Sequence, residues 1–309
     1  MVAQPSRNDR REAARERAFT AASLVAAVAL VATIVLFFVQ LIITSRASRA
    51  TFGWNFLWHS EWNPVTEKFG ALPMIVGTLV TGFGALLIST PFALGIAIFL
   101  ADYAGRKVAE PVKYLISLLG GLPSVIFGLW GLFVLVPLVG KFEVWFGKLV
   151  GSKALVASGT TGVGLLAAIL LLAIMILPFS ASLILEALLV VPTELKEGAL
   201  ALGATKWDTI QNVELPYVRR STVGALVLSL GRALGETMAV TMVIGNGMKM
   251  PTSLFDPANT LASAIANQFL EATSPIYIGS LIQLALILFV IAIIINIMAR
   301  IILRRGVQQ

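Results

Sequence analysis

Cysteine is missing from all 309 residues, and histidine occurs once, as His59. Disulfides, thiol nucleophiles and thiolate metal sites are thereby excluded, as is a metal site built from several histidines. Charge is the next shortage. Asp, Glu, Lys and Arg make up 13% of the chain, against about 25% in a soluble domain. Hydrophobic residues make up 58%, so too few polar side chains remain to cover a water-facing surface, and the main solvent of this chain is a bilayer. A nucleotide-binding loop is missing too. Gly140-Lys141 lacks the following Ser or Thr and the upstream glycine spacing, and no lysine follows the Gly159 to Gly164 cluster.

Six apolar stretches are present, each long enough to cross roughly 30 Å of hydrocarbon. They run from Ala21 to Ile43, from Gly70 to Ala101, between Lys113 and Lys141, between Lys153 and Glu186, from Ser221 to Ile244, and between Glu271 and Arg300. The expected fold is an all-α membrane protein with six transmembrane helices over residues 21–306. A basic cytoplasmic N-terminal tail covers residues 1–20 and a short C-terminal tail covers 307–309. The first stretch is too long for a signal-peptide core, and no small-residue cleavage site follows it cleanly, so it reads as a span. With the N-terminus in the cytoplasm, fifteen Lys and Arg residues fall inside and seven outside. That bias favours both termini inside the cytoplasmic (inner) membrane. It also explains the net charge of +7 without nucleic acid.

Several features read as architecture. Trp54, Trp58 and Trp62 in the first outside loop fit an interfacial aromatic belt, with a docking surface as the alternative. His59 among them reads as a plain surface residue. Gly77, Gly82 and Gly84, and Gly120, Gly121, Gly128 and Gly131, permit close helix contact. Pro91, Pro123 and Pro178 are expected to kink helices.

One polar segment breaks the apolar pattern, Pro192 to Pro216, between the fourth and fifth stretches. Pro192 stops the preceding helix, and Thr193 opens a new one on which Leu195, Ala199 and Leu202 share a face. Gly203 permits a sharp turn, and a second short helix is expected from about Trp207 to Val213. An ordinary amphipathic connector would have the same composition. The spacing is more particular: Glu197-Gly198-Ala199, three residues, Gly203, nine residues, then Val213-Glu214-Leu215-Pro216.

Two charges interrupt the fifth stretch. Arg232 lies twelve residues past Arg220, about 18 Å along a helix and so near mid-bilayer. An arginine there costs at least about 2.5–3.5 kcal/mol on insertion scales. Glu236 follows at i+4, where the two can share a face and partly neutralise each other. They read either as a structural ion pair or as part of an anion path. For the second, a guanidinium is apt because its planar fork binds two oxygens of an oxyanion and keeps its charge. Thr237 and Thr241 add hydroxyls nearby.

The Glu197-to-Pro216 spacing resembles the EAA loop of ABC importer permeases, with Gly198 where alanine is usual. That resemblance implies that Glu197, Gly198, Ala199, Gly203, Leu215 and Pro216 dock on a partner ATPase. The stretches Phe69-Gly-Ala-Leu-Pro73, Gly121-Leu-Pro-Ser-Val125, Leu202-Gly-Ala-Thr-Lys-Trp207 and Gly231 to Asn246 resemble the PstC-type permeases of phosphate-specific importers. The resemblance covers most of the chain after the first span and implies a type I ABC importer permease-like fold. It further implies a heterodimer with a PstA-type permease, two ATPase subunits that bind ATP and Mg, and an extracytoplasmic phosphate-binding protein. The chain itself is then a non-catalytic subunit with no cofactor, embedded in membrane lipid. Arg232 and Glu236, with Thr237 and Thr241, would line a path for phosphate. Sulfate, molybdate or an organic solute as cargo, and a channel or scaffold without an ATPase, remain the alternatives.

Overall fold

A computed structural model describes residues 7–150 and 161–305. Among them there is no strand, only isolated bridges at Asn63–Lys68 and Gly245–Ala258. The first described element is α1 (Arg7–Thr44), so the basic segment from Arg7 onward is helix continuous with the first span. Two short helices follow, α2 (Arg46–Phe52) and α3 (Asn55–Trp58). Then comes α4 (Leu72–Ile98), which runs on through a π-helical turn at Phe99–Tyr103. Next are α5 (Arg106–Gly120) and a rod made of α6 (Ser124–Trp130), a π-helical turn at Gly131–Leu135, and α7 (Val136–Val150). The deeply buried α8 (Leu165–Leu189) leads to α9 (Thr193–Ala201) and α10 (Lys206–Thr209). A π-helical turn at Ile210–Glu214 joins α10 to α11 (Leu215–Leu234). The remainder is α12 (Met238–Val243), α13 (Leu261–Gln268) and α14 (Pro275–Arg305).

The protein is an all-α membrane protein. Five described helices are long and apolar enough to cross a bilayer: Arg15–Thr44, Leu72–Tyr103, Ser124–Leu149, Leu165–Leu189 and Pro275–Ile301. Two expectations shift. The stretch from Ser221 to Ile244 is not one helix, because α11 stops at Leu234 and α12 restarts at Met238. The third span begins at Ser124 rather than near Lys113, because Pro123 disfavours helical backbone at Leu122 and splits α5 from α6. The expected start of the fourth stretch at Lys153 and the tail 307–309 lie outside the described residues.

The core forms where α8 packs along α4, with α6, α11 and α12 closing around them. Leu171, Leu172, Met175 and Ile176 of α8 are buried. Small residues set the approach. A methyl group added at Gly77 of α4 would sit 2.1 Å from the Asn259 carbonyl oxygen, and one at Gly128 of α6 would sit 2.6 Å from the Met242 sulfur. Gly120 and Gly121 differ, since a methyl group added at either would touch no other element. The three tryptophans also part company. Trp62 is buried among Phe56, Phe69 and Tyr277, and its indole N–H donates to Gln268 Oε1 at 2.7 Å. Trp54 and Trp58 are exposed, as is His59. By contrast with α8, α1 touches the body through the Phe38–Phe289 ring stack and α2, and leaves most of its apolar length uncovered.

Gly77→Val forces the backbone at Asn259 to move, an overpacking cost of about 1–3 kcal/mol. Melting of the purified protein in detergent should fall accordingly. Gly95→Ala, on the same helix but with nothing within 4 Å, should leave the melting point unchanged or raise it.

Candidate translocation and coupling sites

Two helix breaks meet inside the apolar body. One separates α5 from α6 at Gly121–Pro123, and the other separates α11 from α12 at Gly235–Thr237. Each break frees carbonyls at one helix end and N–H groups at the next. Arg232 stands in the last turn of α11, where a cation is favoured by the helix dipole. Its Nη2 donates to the carbonyl of Gly120, the last residue of α5, at 3.4 Å. The guanidinium carbon lies 5.3 Å from the centre of the Phe179 ring, on α8 beside Pro178. Arg232 therefore serves two helix ends and rests on an aromatic face.

Glu236 is placed differently from the expectation of an i+4 pair. The helix has ended before it, and its Oε1 accepts from the Ala239 N–H at 3.2 Å, capping α12. Among the described residues no ion pair joins it to Arg232. Both charges are half-buried. Arg232 thus keeps an uncompensated positive charge close to the start of α6. The hydroxyls of Thr237 and Thr241 donate to the carbonyls of Gly235 and Thr237, at 3.2 and 2.7 Å. Below this level, Ser180 of α8 donates to Ser229 of α11 at 2.7 Å, fully buried, and fixes the two helices one turn from Arg232.

The polar segment forms a second constellation. Pro192 precedes α9, Gly203 takes φ +87° at the corner, and Thr205 caps α10 through a reciprocal bond pair with Asp208. Only a residue without a Cβ takes that φ at no steric cost. Hydrogen bonds from Thr205 hold the Asp208 carboxyl below its usual range. Glu197, Gly198 and Gly203 are exposed, Ala199 is half-buried, and Leu202 projects into solvent with 92% of its surface free. Ala199, Leu202 and Gly203 frame a shallow groove with Asp208, Asn212 and Val213. Leu215 is half-buried, and Pro216 is exposed in the first turn of α11.

Beneath this knob lies an anchor that the spacing of residues did not reveal. Lys196 of α9 points inward, with Nζ 2.9 Å from Asp102 Oδ1 and 2.6 Å from Glu214 Oε2. Asp102 belongs to the π-helical turn ending α4, and Glu214 to the one preceding α11. Lys206 adds a bond from its ammonium to the Asp102 main-chain carbonyl and lies 4.8 Å from the centre of the Tyr103 ring. Burial would pull the Lys196 ammonium down, but hydrogen bonds and charge from Glu214 and Asp102 outweigh it, and the net direction is up. Burial raises Glu214, against the opposing pull of Lys196. The charge of the second acid, Asp102, adds to the rise at Glu214. The only sequence hint was that Asp102 is the first charge after a run without any.

A family model described as "binding-protein-dependent transport system inner membrane component" matches residues 93–307. The chain belongs to this family. Within it, the chain is 46% identical over 271 residues to the phosphate transport system permease protein PstC of Pasteurella multocida, covering 86% of this chain and 84% of that one. The PstC protein of Mesorhizobium japonicum is also 46% identical, over 86% and 83% of the two chains. Among solved structures, a bacterial alginate ABC transporter matches with TM-score 0.60 at 18% identity, over 94% of this chain and 96% of that one. The inward-facing MetNI methionine transporter matches with TM-score 0.57 at 20% identity, over 75% and 94%. These two likenesses show that the fold is that of ABC importer permeases. Both break regions and the Lys196 anchor fall within the matched span of this family.

Lys196→Met leaves two buried acids without their cation, a loss of about 3–5 kcal/mol. It should lower the melting point far more than Glu214→Gln, which removes a buried charge and leaves Lys196 on Asp102. Because the folded Lys196 pKa is raised, its contribution is complete below the usual lysine range and fades as pH climbs through the shifted value. The gap in stability between wild type and Lys196→Met, followed by thermal melting, should therefore narrow in strong alkali, and narrow also in acid, where the stranded carboxylates of the variant take up protons.

Proposed function

We propose that this permease is the membrane-embedded subunit of an ATP-driven importer of inorganic phosphate, working by alternating access. The observation that carries the reading is Arg232: a guanidinium with no carboxylate partner among the described residues, held at a double helix break within the apolar body. Discontinuous helices at membrane depth are tolerated where they line a cavity or path, and they commonly mark the substrate site of transporters. Arginine at such a place selects an oxyanion, through its fixed fork of donors. The relatives named as phosphate permeases favour phosphate over sulfate or molybdate. Glu236 faces the same break and has one oxygen beyond its bond to Ala239. A carboxylate there prefers an oxyanion that still carries a proton, and at neutral pH phosphate does.

Transport is non-covalent, so the chain needs no catalytic residue or cofactor, and ATP with Mg belongs to two partner ATPase subunits. The basic bias places both termini and the α9–α10 knob in the cytoplasm. There Glu197, Gly198, Ala199, Gly203, Leu215 and Pro216 meet the ATPase, and the small residues allow close docking. On α11, Leu228 and Gly231 are exposed and Gly224 is half-buried. This face fits a homologous PstA-type permease, with the phosphate path between the two subunits. An extracytoplasmic binding protein delivers the ion at the opposite end. Closure of the ATPase pair moves the knob as a rigid body and tips the spans between inward- and outward-facing arrangements.

The test is ATP-dependent phosphate uptake by proteoliposomes holding the complete complex, with sulfate as competitor. Arg232→Ala should cut uptake by at least about 30-fold, as expected from truncating one partner of a buried, charged contact. Arg232→Lys should be intermediate, keeping charge and losing the fork. Wild-type uptake in the alanine variant would remove Arg232 from the path. Separately, Gly203→Trp should abolish stimulation of ATP hydrolysis by phosphate-loaded binding protein. Retained stimulation would mean that the knob does not dock where proposed.

A further inference from the structure

At the end of the molecule opposite α9, a slot of about 670 Å³ lies between the α2–α3 corner, the first turns of α4 and the flank of α14. That volume falls within the range of roughly 300–1,000 Å³ typical of sites for small apolar ligands. Neither the break at Arg232 nor the Lys196 anchor shares a residue with it. Its long wall is Ile287, Val290 and Ile291, which lie inside the part of α14 apolar enough to span a membrane. The slot therefore opens toward hydrocarbon. Trp54, Trp58 and Arg49 also line it. Exposed indoles are the side chains that mark the boundary between hydrocarbon and headgroups.

Arg49 is held ready rather than spent. Its Nε donates to Ser45 Oγ at 3.1 Å, and Nη2 donates to the Ile42 carbonyl near the end of α1, where carbonyls lack partners in their own helix. Nη1 is left over. Among the described residues, no carboxylate pairs with Arg49 or with Arg46 one turn before it. The other polar wall group, Gln283, is already used, its Oε1 accepting from Ser48 at 2.6 Å. Polarity thus runs in one direction along the slot. Arg49 follows Ser48, which bonds Gln283, so the positive charge lies toward the Gln283 end, and from there only apolar side chains of α14 line the slot, for roughly 12 Å to Ile291. A phospholipid has the same order: anionic phosphate, then acyl chain. A transmembrane helix from a protein partner has no such charge gradient to match.

We propose that the slot is a binding site for one anionic phospholipid, with an acyl chain along Ile287 and Val290 and the phosphate on Arg49. Basic groups beside spanning helices hold lipid headgroups in this manner, and the guanidinium fork suits a phosphodiester. Such a lipid covers an apolar surface that the chain leaves open, and it fastens the α2–α3 corner to α14.

The complete transport complex, purified in mild detergent with equal amounts of phosphatidylglycerol and phosphatidylcholine, is examined by native mass spectrometry. The wild type should retain phosphatidylglycerol. Ile287→Trp, which fills the slot, should reduce retained lipid about tenfold or more, and Val290→Trp should do the same independently. Arg49→Gln should keep some lipid and lose the preference for phosphatidylglycerol. A photoreactive side chain at position 290 should label lipid. Lipid retention equal to wild type in both tryptophan variants of the intact complex would overturn the site. Unchanged headgroup preference in Arg49→Gln would overturn the role of Arg49, and cross-linking from position 290 to the partner permease would show that protein fills the slot.

Discussion

A peptide carbonyl inside hydrocarbon has no water to turn to, and every break in a spanning helix must find a substitute within the protein. The centre of this permease depends on how that demand is met. Two helices stop at about the same depth, and one side chain, Arg232, answers for both: it ends α11 and donates to the last carbonyl of α5. Glu236 performs the complementary service, accepting an N–H at the start of α12. Charges that would be costly in lipid are tolerated because each finds backbone partners of opposite polarity. The same arrangement leaves the guanidinium only partly used, which is what an anion passing through would need.

The second constellation is joined to the first by a single rigid element. Glu214 stands immediately before α11 and Arg232 in its last turn, about 27 Å apart along the axis at 1.5 Å per residue. Lys196 fastens α9 to the foot of α11 and, through Asp102, to the end of α4. On the importer reading, a push on the exposed knob reaches both helices at once. The hydroxyl contact between Ser180 and Ser229 ties α11 to α8 one turn before Arg232.

How much of this could be read from residues alone varied with the kind of signal. Long apolar runs and Pro192, Gly203 and Pro216 located most spans and the knob, because hydrophobic length and backbone-restricted residues act locally. Arg232 announced itself because a lone cation in an apolar run has few explanations. What the arginine touches was not legible. Its pairing with Glu236 follows from an unbroken helix, and the Gly235 break removes that premise. The split at Pro123 is not legible, because one proline in an apolar run reads equally as a kink or an end. Lys196, Asp102 and Glu214 do not stand out as a group in the sequence, because they come from three separated segments and only tertiary packing brings them together. Trp62 looked like its two neighbours and is buried, since composition does not say which side of a loop faces the core.

Lys196 reaches both of its acids where a helix widens by one residue, at Phe99–Tyr103 and at Ile210–Glu214. A π-helical turn is an insertion absorbed without breaking the helix, and such turns are frequent at functional positions. Each residue in a regular helix rotates the next by about 100°. Shortening either segment by a single residue would restore ordinary winding and swing its carboxylate to a different azimuth, away from the lysine. The length of these two segments is therefore as fixed as their chemistry, and along them the chain would accept substitutions more readily than deletions.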